Sequence, residues 1–90
     1  MEFVWYGKKN TRNVQKHCVS FEEALTAFYD LLSSTIPDLT HSVEESRFLL
    51  IGMSAKGRLL VVVHIYCGEI VRIISARVAT KRERRTYEET

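Results

Sequence analysis

Five consecutive aliphatic residues, Leu59-Leu-Val-Val-Val63, constrain the fold of this chain more than any other feature. Successive side chains of a strand point to opposite faces, so such a run is apolar on both sides and needs cover above and below. It reads as the central strand of a sheet. Residues 46–53, 58–66 and 70–77 are three strand candidates with this run in the middle one. Turns at Ser54-Ala-Lys-Gly57 and around Cys67-Gly68-Glu69 join them as hairpins.

Helices precede and follow these strands. Residues 2–5 suggest a short first strand, and residues 8–17 a weakly amphipathic helix with Lys9, Arg12, Asn13 and Lys16 on one face. A second helix has a clearer start. Ser20 is a natural N-cap, Glu23 three residues later completes a capping box, and Val19 can staple against Ala24. Phe21, Ala24, Leu25, Phe28 and Leu32 then recur as a buried helical stripe. A short segment at 31–36 stops at Pro37, and a polar loop runs through Asp38, His41 and Ser42. Thr80 with Glu83 forms a second capping box that opens a final helix. The expected order is β-α-α-β-β-β-β-α in a single domain, residues 1–90. This is the pattern of an α+β protein with an antiparallel sheet, N-terminal helices on one face and a C-terminal helix.

The register of the last hairpin decides which polar groups meet. An odd-length loop, with Gly68 at a bulge, places His64 and Arg72 on one face. Leu59, Val61, Val63, Ile65, Val71 and Ile73 then line the other. A two-residue Cys67-Gly68 loop would instead bury Arg72 among aliphatics and group His64 with Ser75 and Arg77. An unpaired buried guanidinium is costly, which favours the odd register.

Composition excludes several classes. A hydrophobic content of 46% with 27% charged residues is that of a globular chain. No apolar run has membrane-span length, and the charged, Trp-bearing start is not a signal peptide. Two cysteines, Cys18 and Cys67, make no framework, so a reducing cytoplasm is expected. The net charge of +2 conceals segregation. Residues 1–16 hold four cations and one anion, 17–46 six anions and no Lys or Arg, and 47–90 nine cations and four anions. If the basic ends meet in space, they form a positive surface suited to a polyanion.

The densest cations are Lys81, Arg82, Arg84 and Arg85, with Tyr87 one turn beyond Arg84 and Arg77 at the preceding strand end. Such a run is ordinarily a solvated surface. On RNA, the same arginines would stabilise charge on a phosphate attacked in line by the 2′-oxygen, with no metal required. His64 suits proton transfer, although a lone His in an apolar strand is more often structural. His17 reads as a C-terminal helix cap, and His41 carries no signal. Lys9, Arg12 and Lys16 either hold phosphates or face water, and Arg72 and Arg85 add possible backbone contacts. Tyr66 and Tyr87 offer faces on which bases stack, although tyrosines usually pack. Zinc at His17, Cys18, His64 and Cys67 is conceivable, but the paired spacings of zinc ribbons are absent.

Ordered blocks along the chain resemble the BrnT family of toxins, relatives of the RelE superfamily. They are Phe3-Val-Trp5, Lys9-Asn10-x-x-Asn13-x-x-Lys16-His17, Val19-Ser-Phe-Glu-Glu-Ala24, Arg47-Phe-Leu-x-Ile-Gly52, Gly57-Arg-Leu-Leu-Val-Val62, Arg72-Ile-Ile-Ser-Ala-Arg77-x-Ala79 and Glu83-Arg84-x-x-Tyr87-Glu88. Tyr6, Cys18 (where relatives usually have Gly), Tyr66 and Cys67 depart from the pattern. The resemblance implies a RelE-like fold and metal-independent endoribonuclease activity in the bacterial cytoplasm, without a cofactor. It carries catalytic roles to Arg82 or Arg84 and to Tyr87, with Arg77 beside them, while His64 remains a candidate on its own chemistry. It also implies a BrnA-like ribbon-helix-helix antitoxin, with operator DNA bound only through the toxin–antitoxin complex and no membrane partner. The same surface would serve a non-catalytic nucleic-acid-binding module, or a degenerate toxin that only binds its antitoxin.

Overall fold

A computed structural model describes residues 1–39 and 46–89; His41 and Ser42 of the expected loop lie outside the described residues. In chain order the elements are β1 (Glu2–Val4), α1 (Gly7–His17), α2 (Phe21–Thr26), β2 (Ser34–Pro37), β3 (Phe48–Met53), β4 (Leu59–Cys67), β5 (Ile70–Val78) and α3 (Lys81–Glu88). The class is α+β, in the expected order. One sheet of five strands runs β1-β5-β4-β3-β2. Strands β2 to β5 are antiparallel, and β1 joins the edge parallel to β5.

The aliphatic run does lie inside the sheet: Leu59, Leu60, Val61 and Val62 are at most 1% exposed. Alternation divides its side chains between two clusters. Leu60 and Val62 join Leu50, Ile73 and Ala76 beneath Val19, Phe21 and Ala24 of the N-terminal helical layer. Leu59 and Val61 join Ile51 on the opposite face, where Ala79 and Tyr87 cover them in part. Gly52 permits the close approach of β3 to the helical layer, because a Cβ there would stand 2.7 Å from the Ala27 carbonyl oxygen.

The local signals read differently in three places. Helix α2 stops at Thr26 and tightens into a 3₁₀ turn at Ala27–Tyr29, so Leu32 leaves the expected stripe and is 67% exposed. The Ser20 hydroxyl accepts from the Glu23 N–H as a cap should, but the Glu23 carboxylate turns instead to Ser54 and Arg58. Helix α1 ends on Cys18 in the left-handed region, φ 58°, where Gly would be unstrained.

The last hairpin corrects the expected register. Cys67 pairs with Ile70, leaving a two-residue Gly68-Glu69 loop with Gly68 at φ 64°, the pattern of a type II′ turn. Val63 pairs with Ser75 but His64 with Ile73, so Ile74 is the extra residue of a β-bulge. His64 therefore shares the helix-covered face with Val71 and Ile73, while Arg72 lies opposite Ile65 on the other face. Both placements are compatible with the cost of burying polar groups. His64 is 0% exposed, with Nδ1 3.1 Å from the Val62 carbonyl oxygen and Nε2 3.3 Å from the Tyr66 hydroxyl. Arg72 is half-buried, its guanidinium 5.4 Å from the centre of the Tyr6 ring and donating to the Tyr6 hydroxyl.

Asn13 was expected on the polar face of α1 and is instead buried. Its carboxamide donates to the Val19 and Ala76 carbonyls at 2.8 Å and accepts from the Ala76 N–H at 3.1 Å. Asn13→Ala should cost about 3 kcal/mol, since it strands several buried backbone groups. A urea midpoint shift worth less than about 0.5 kcal/mol would contradict this account. Conversely, Cys18→Gly should stabilise by about 0.5–1 kcal/mol by removing the left-handed Cβ penalty. An unchanged or lower midpoint would show that Cys18 bears no such strain.

Candidate functional site

Two cationic surfaces emerge. The first lies where α1 crosses the β5 edge beyond the end of β1. Helix α1 has no acidic residue in its first turn and ends on Lys16 and His17. Lys9, Arg12 and Lys16 recur at i, i+3 and i+7, so they share one face. With Asn13 and His17 they wall a depression of about 280 Å³, and Ile74 and Ser75 of the bulged strand form its opposite side. No carboxylate lines it among the described residues. Bonds from Asn13 to Ala76 hold the helix against rolling, so these side chains project from a fixed base.

The second surface is α3, positioned by two anchors. Thr80 and Glu83 form the full reciprocal capping box. The Glu83 carboxylate also accepts both guanidinium nitrogens of Arg77, at 2.7 and 2.8 Å, and lies well below the usual carboxylate range, at about 2, chiefly through that bond. At the other end the Tyr87 hydroxyl donates to Asp30 at 2.6 Å, and Asp30 also accepts from the Leu32 and Met53 amides. Burial alone would raise Asp30, but these bonds leave it below its ordinary value, while its carboxylate pushes the Tyr87 phenol upward. The side chains of Lys81, Arg82, Arg84 and Arg85 are exposed and have no hydrogen-bond or ion-pair partner among the described residues.

The expected constellation is therefore only partly assembled. Arg77, Arg82, Arg84 and Tyr87 share one end of the molecule, but Arg77 is held by Glu83 and Tyr87 by Asp30. Arg82 and Arg84, two residues apart, project about 200° from each other around the helix axis. His64 is corrected: it lies sealed beneath the helices, on the face away from Arg77 and α3, and burial pushes its imidazole below the ordinary value. Arg72 stands with Tyr6 rather than with His64. His17, Cys18, His64 and Cys67 are not gathered, since no group of three or more potential ligands clusters among the described residues.

Sequence reasoning missed the anchoring by Asp30, the hold of Glu23 on Arg58 in place of its expected capping bond, and the place of His17 in the depression. Glu23 is 4% exposed and fixes Arg58, which also donates to the Cys18 carbonyl. Its carboxyl is held below the usual range, first by Arg58. Neither anchoring role had a sequence signal, because each acts on a residue far away along the chain.

The buried imidazole makes stability sensitive to mild acid. As pH falls the unfolded chain takes up this proton before the folded one does. The contribution of neutral His64 is thus complete above about pH 6.5 and declines below it. Glu83 and Glu23, both depressed, add losses only below about pH 4.5. Urea midpoints between pH 7 and 5 should fall for the native chain and flatten for His64→Leu. An equal slope in both would refute the assignment.

A model of the family described as ribonuclease toxin, BrnT, of type II toxin–antitoxin system matches residues 5–83. No curated protein matches the chain. The crystal structure of the Brucella abortus ribonuclease toxin, BrnT, superposes with a TM-score of 0.65 at 24% identity, covering 90% of this chain and 99% of that one. At that identity the likeness speaks for the fold. No helix among the described residues is long and apolar enough to cross a membrane.

Proposed function

The chain belongs to the family of BrnT ribonuclease toxins of type II toxin–antitoxin systems, and from that premise we propose that it is an endoribonuclease that cuts single-stranded RNA without a metal ion. The observation that carries this reading is the depression walled by Lys9, Arg12 and Lys16, which no carboxylate lines among the described residues. RNA cleavage by its own 2′-oxygen needs in-line geometry, stabilised phosphorane charge and proton transfer, all available to organic side chains.

In this reading Lys9, Arg12 and Lys16 hold phosphates at the β5 edge. Arg82, Arg84 and Arg85 extend the contact along α3. Arg77 and Tyr87 act mainly through position, one fixing the start of α3 by Glu83 and the other its end by Asp30. The family places an antitoxin and an RNA target around such a toxin. A BrnA-like ribbon-helix-helix antitoxin would neutralise it, bring the complex to operator DNA, and relieve growth arrest in the bacterial cytoplasm.

A cleavage assay tests the enzyme reading. Purified protein should cut unstructured RNA equally with and without EDTA. Lys9→Ala/Arg12→Ala/Lys16→Ala should lower cleavage at least 100-fold and reduce the salt slope of RNA binding by about 2, as three lost phosphate contacts require. Salt-dependent binding with no cleavage by the native protein would favour a binding module instead. Loss of cleavage in EDTA alone would show a metal requirement.

A further inference from the structure

We propose that His17 is the proton-transfer residue of the cleavage reaction and that the scissile phosphodiester occupies the depression between α1 and the bulge of β5; this rests on the ribonuclease reading. The molecule has three histidines. His64 is fully enclosed, and His41 lies outside the described residues. His17 occupies the last turn of α1, is partly exposed, and lines the same depression as Lys9, Arg12 and Lys16. An imidazole among three cations, with no carboxylate beside them among the described residues, is the set that phosphodiester cleavage in RNA calls for.

Among the described residues the alternative surface holds no such group. On α3 the phenol of Tyr87 is committed to Asp30, and the remaining cations are Lys and Arg. Around His17 the geometry is fixed instead. Asn13, one turn earlier, is bonded to Ala76 and Val19. The next residue, Cys18, closes the helix through its N–H to the Val14 carbonyl, and its own carbonyl accepts from Arg58. Ser75 adds a hydroxyl on the strand side, and Lys9 to His17 spans about 12 Å of helix.

The reaction balances with groups at hand. Neutral imidazole takes the proton of the 2′-hydroxyl as the 2′-oxygen–phosphorus bond forms. The bond from phosphorus to the 5′-oxygen breaks, and the imidazolium returns its proton to that oxygen. The cations hold the negative phosphorane between these events. The products are a 2′,3′-cyclic phosphate and a 5′-hydroxyl end, and the imidazole is regenerated.

Single-turnover cleavage of an RNA oligonucleotide tests this, alongside binding of its 2′-O-methyl counterpart, which cannot react. His17→Gln should cut at least 100-fold more slowly while binding the 2′-O-methyl strand within about threefold of the native protein. His17→Ala should regain at least tenfold of its lost rate on addition of imidazole, a response that a structural role would not give. If native protein cleaves and His17→Gln stays within fivefold of it, the inference falls and the ribonuclease reading stands. Loss of rate in His17→Ala with no recovery in imidazole also overturns it. If native protein leaves RNA intact, both fall.

Discussion

Asn13 supplies what β1 does not. Strand β1 covers β5 only from Ile70 to Arg72, and beyond it the outward amide and carbonyl of Ala76 would be buried without partners. The Asn13 carboxamide accepts from one and donates to the other, standing in for a neighbouring strand by a single residue. The same side chain reaches the Val19 carbonyl, so the end of α1, the start of α2 and the sheet edge share one polar joint. Everything proposed for the α1 surface depends on this joint. It sets which face of the helix meets the sheet, and leaves Lys9, Arg12 and Lys16 on the rim rather than beneath it.

Strand identities were legible because the aliphatic run and its turns leave little choice, whereas their pairing was not. A hairpin register depends on loop length, and the chain offers Cys67-Gly68-Glu69 for two- and three-residue closures alike. The odd register carries the smaller burial cost for Arg72 only if no neighbour shelters it. Tyr6 does so, from a segment 66 residues away. The bulge at Ile74 then exchanges the faces again, returning Ala76 to the core and Arg77 to the side where Glu83 waits. No periodicity in a single strand reports such a slip, since it is settled by what packs on either face.

The two capping boxes make the same point for helices. Ser20 with Glu23 and Thr80 with Glu83 have the same spacing, and both helices begin where this spacing says. At α3, Glu83 completes the box and clamps Arg77 as well. At α2, a nearly buried Glu23 meets Arg58 and Ser54, and a carboxylate in that setting is better satisfied by a guanidinium than by its own helix. Helix starts were thus readable from local chemistry. The destination of a glutamate was decided by burial, a property of the assembled fold.

That allocation of anions explains why a net charge of +2 understates the electrostatics. Glu23 serves Arg58, Glu83 serves Arg77, and Asp30 serves Tyr87, so these acids act within the fold. Lys9, Arg12 and Lys16 on one side, and Lys81, Arg82, Arg84 and Arg85 on the other, keep their charge for solvent or a partner. The two sets do not merge into the single positive surface that the charge pattern suggested. Helix α1 lies along the β5 edge, whereas α3 packs on the face away from the N-terminal helices. With principal extents of 31 × 27 × 24 Å and screening over about 8 Å at physiological salt, each set acts locally. Local geometry then separates them. Cations that radiate from a short helix touch a polyanion at scattered points, while those lining a depression converge on one phosphate and stabilise charge that builds there. Of the two surfaces, the one at the β5 edge has the shape that chemistry on a phosphodiester needs.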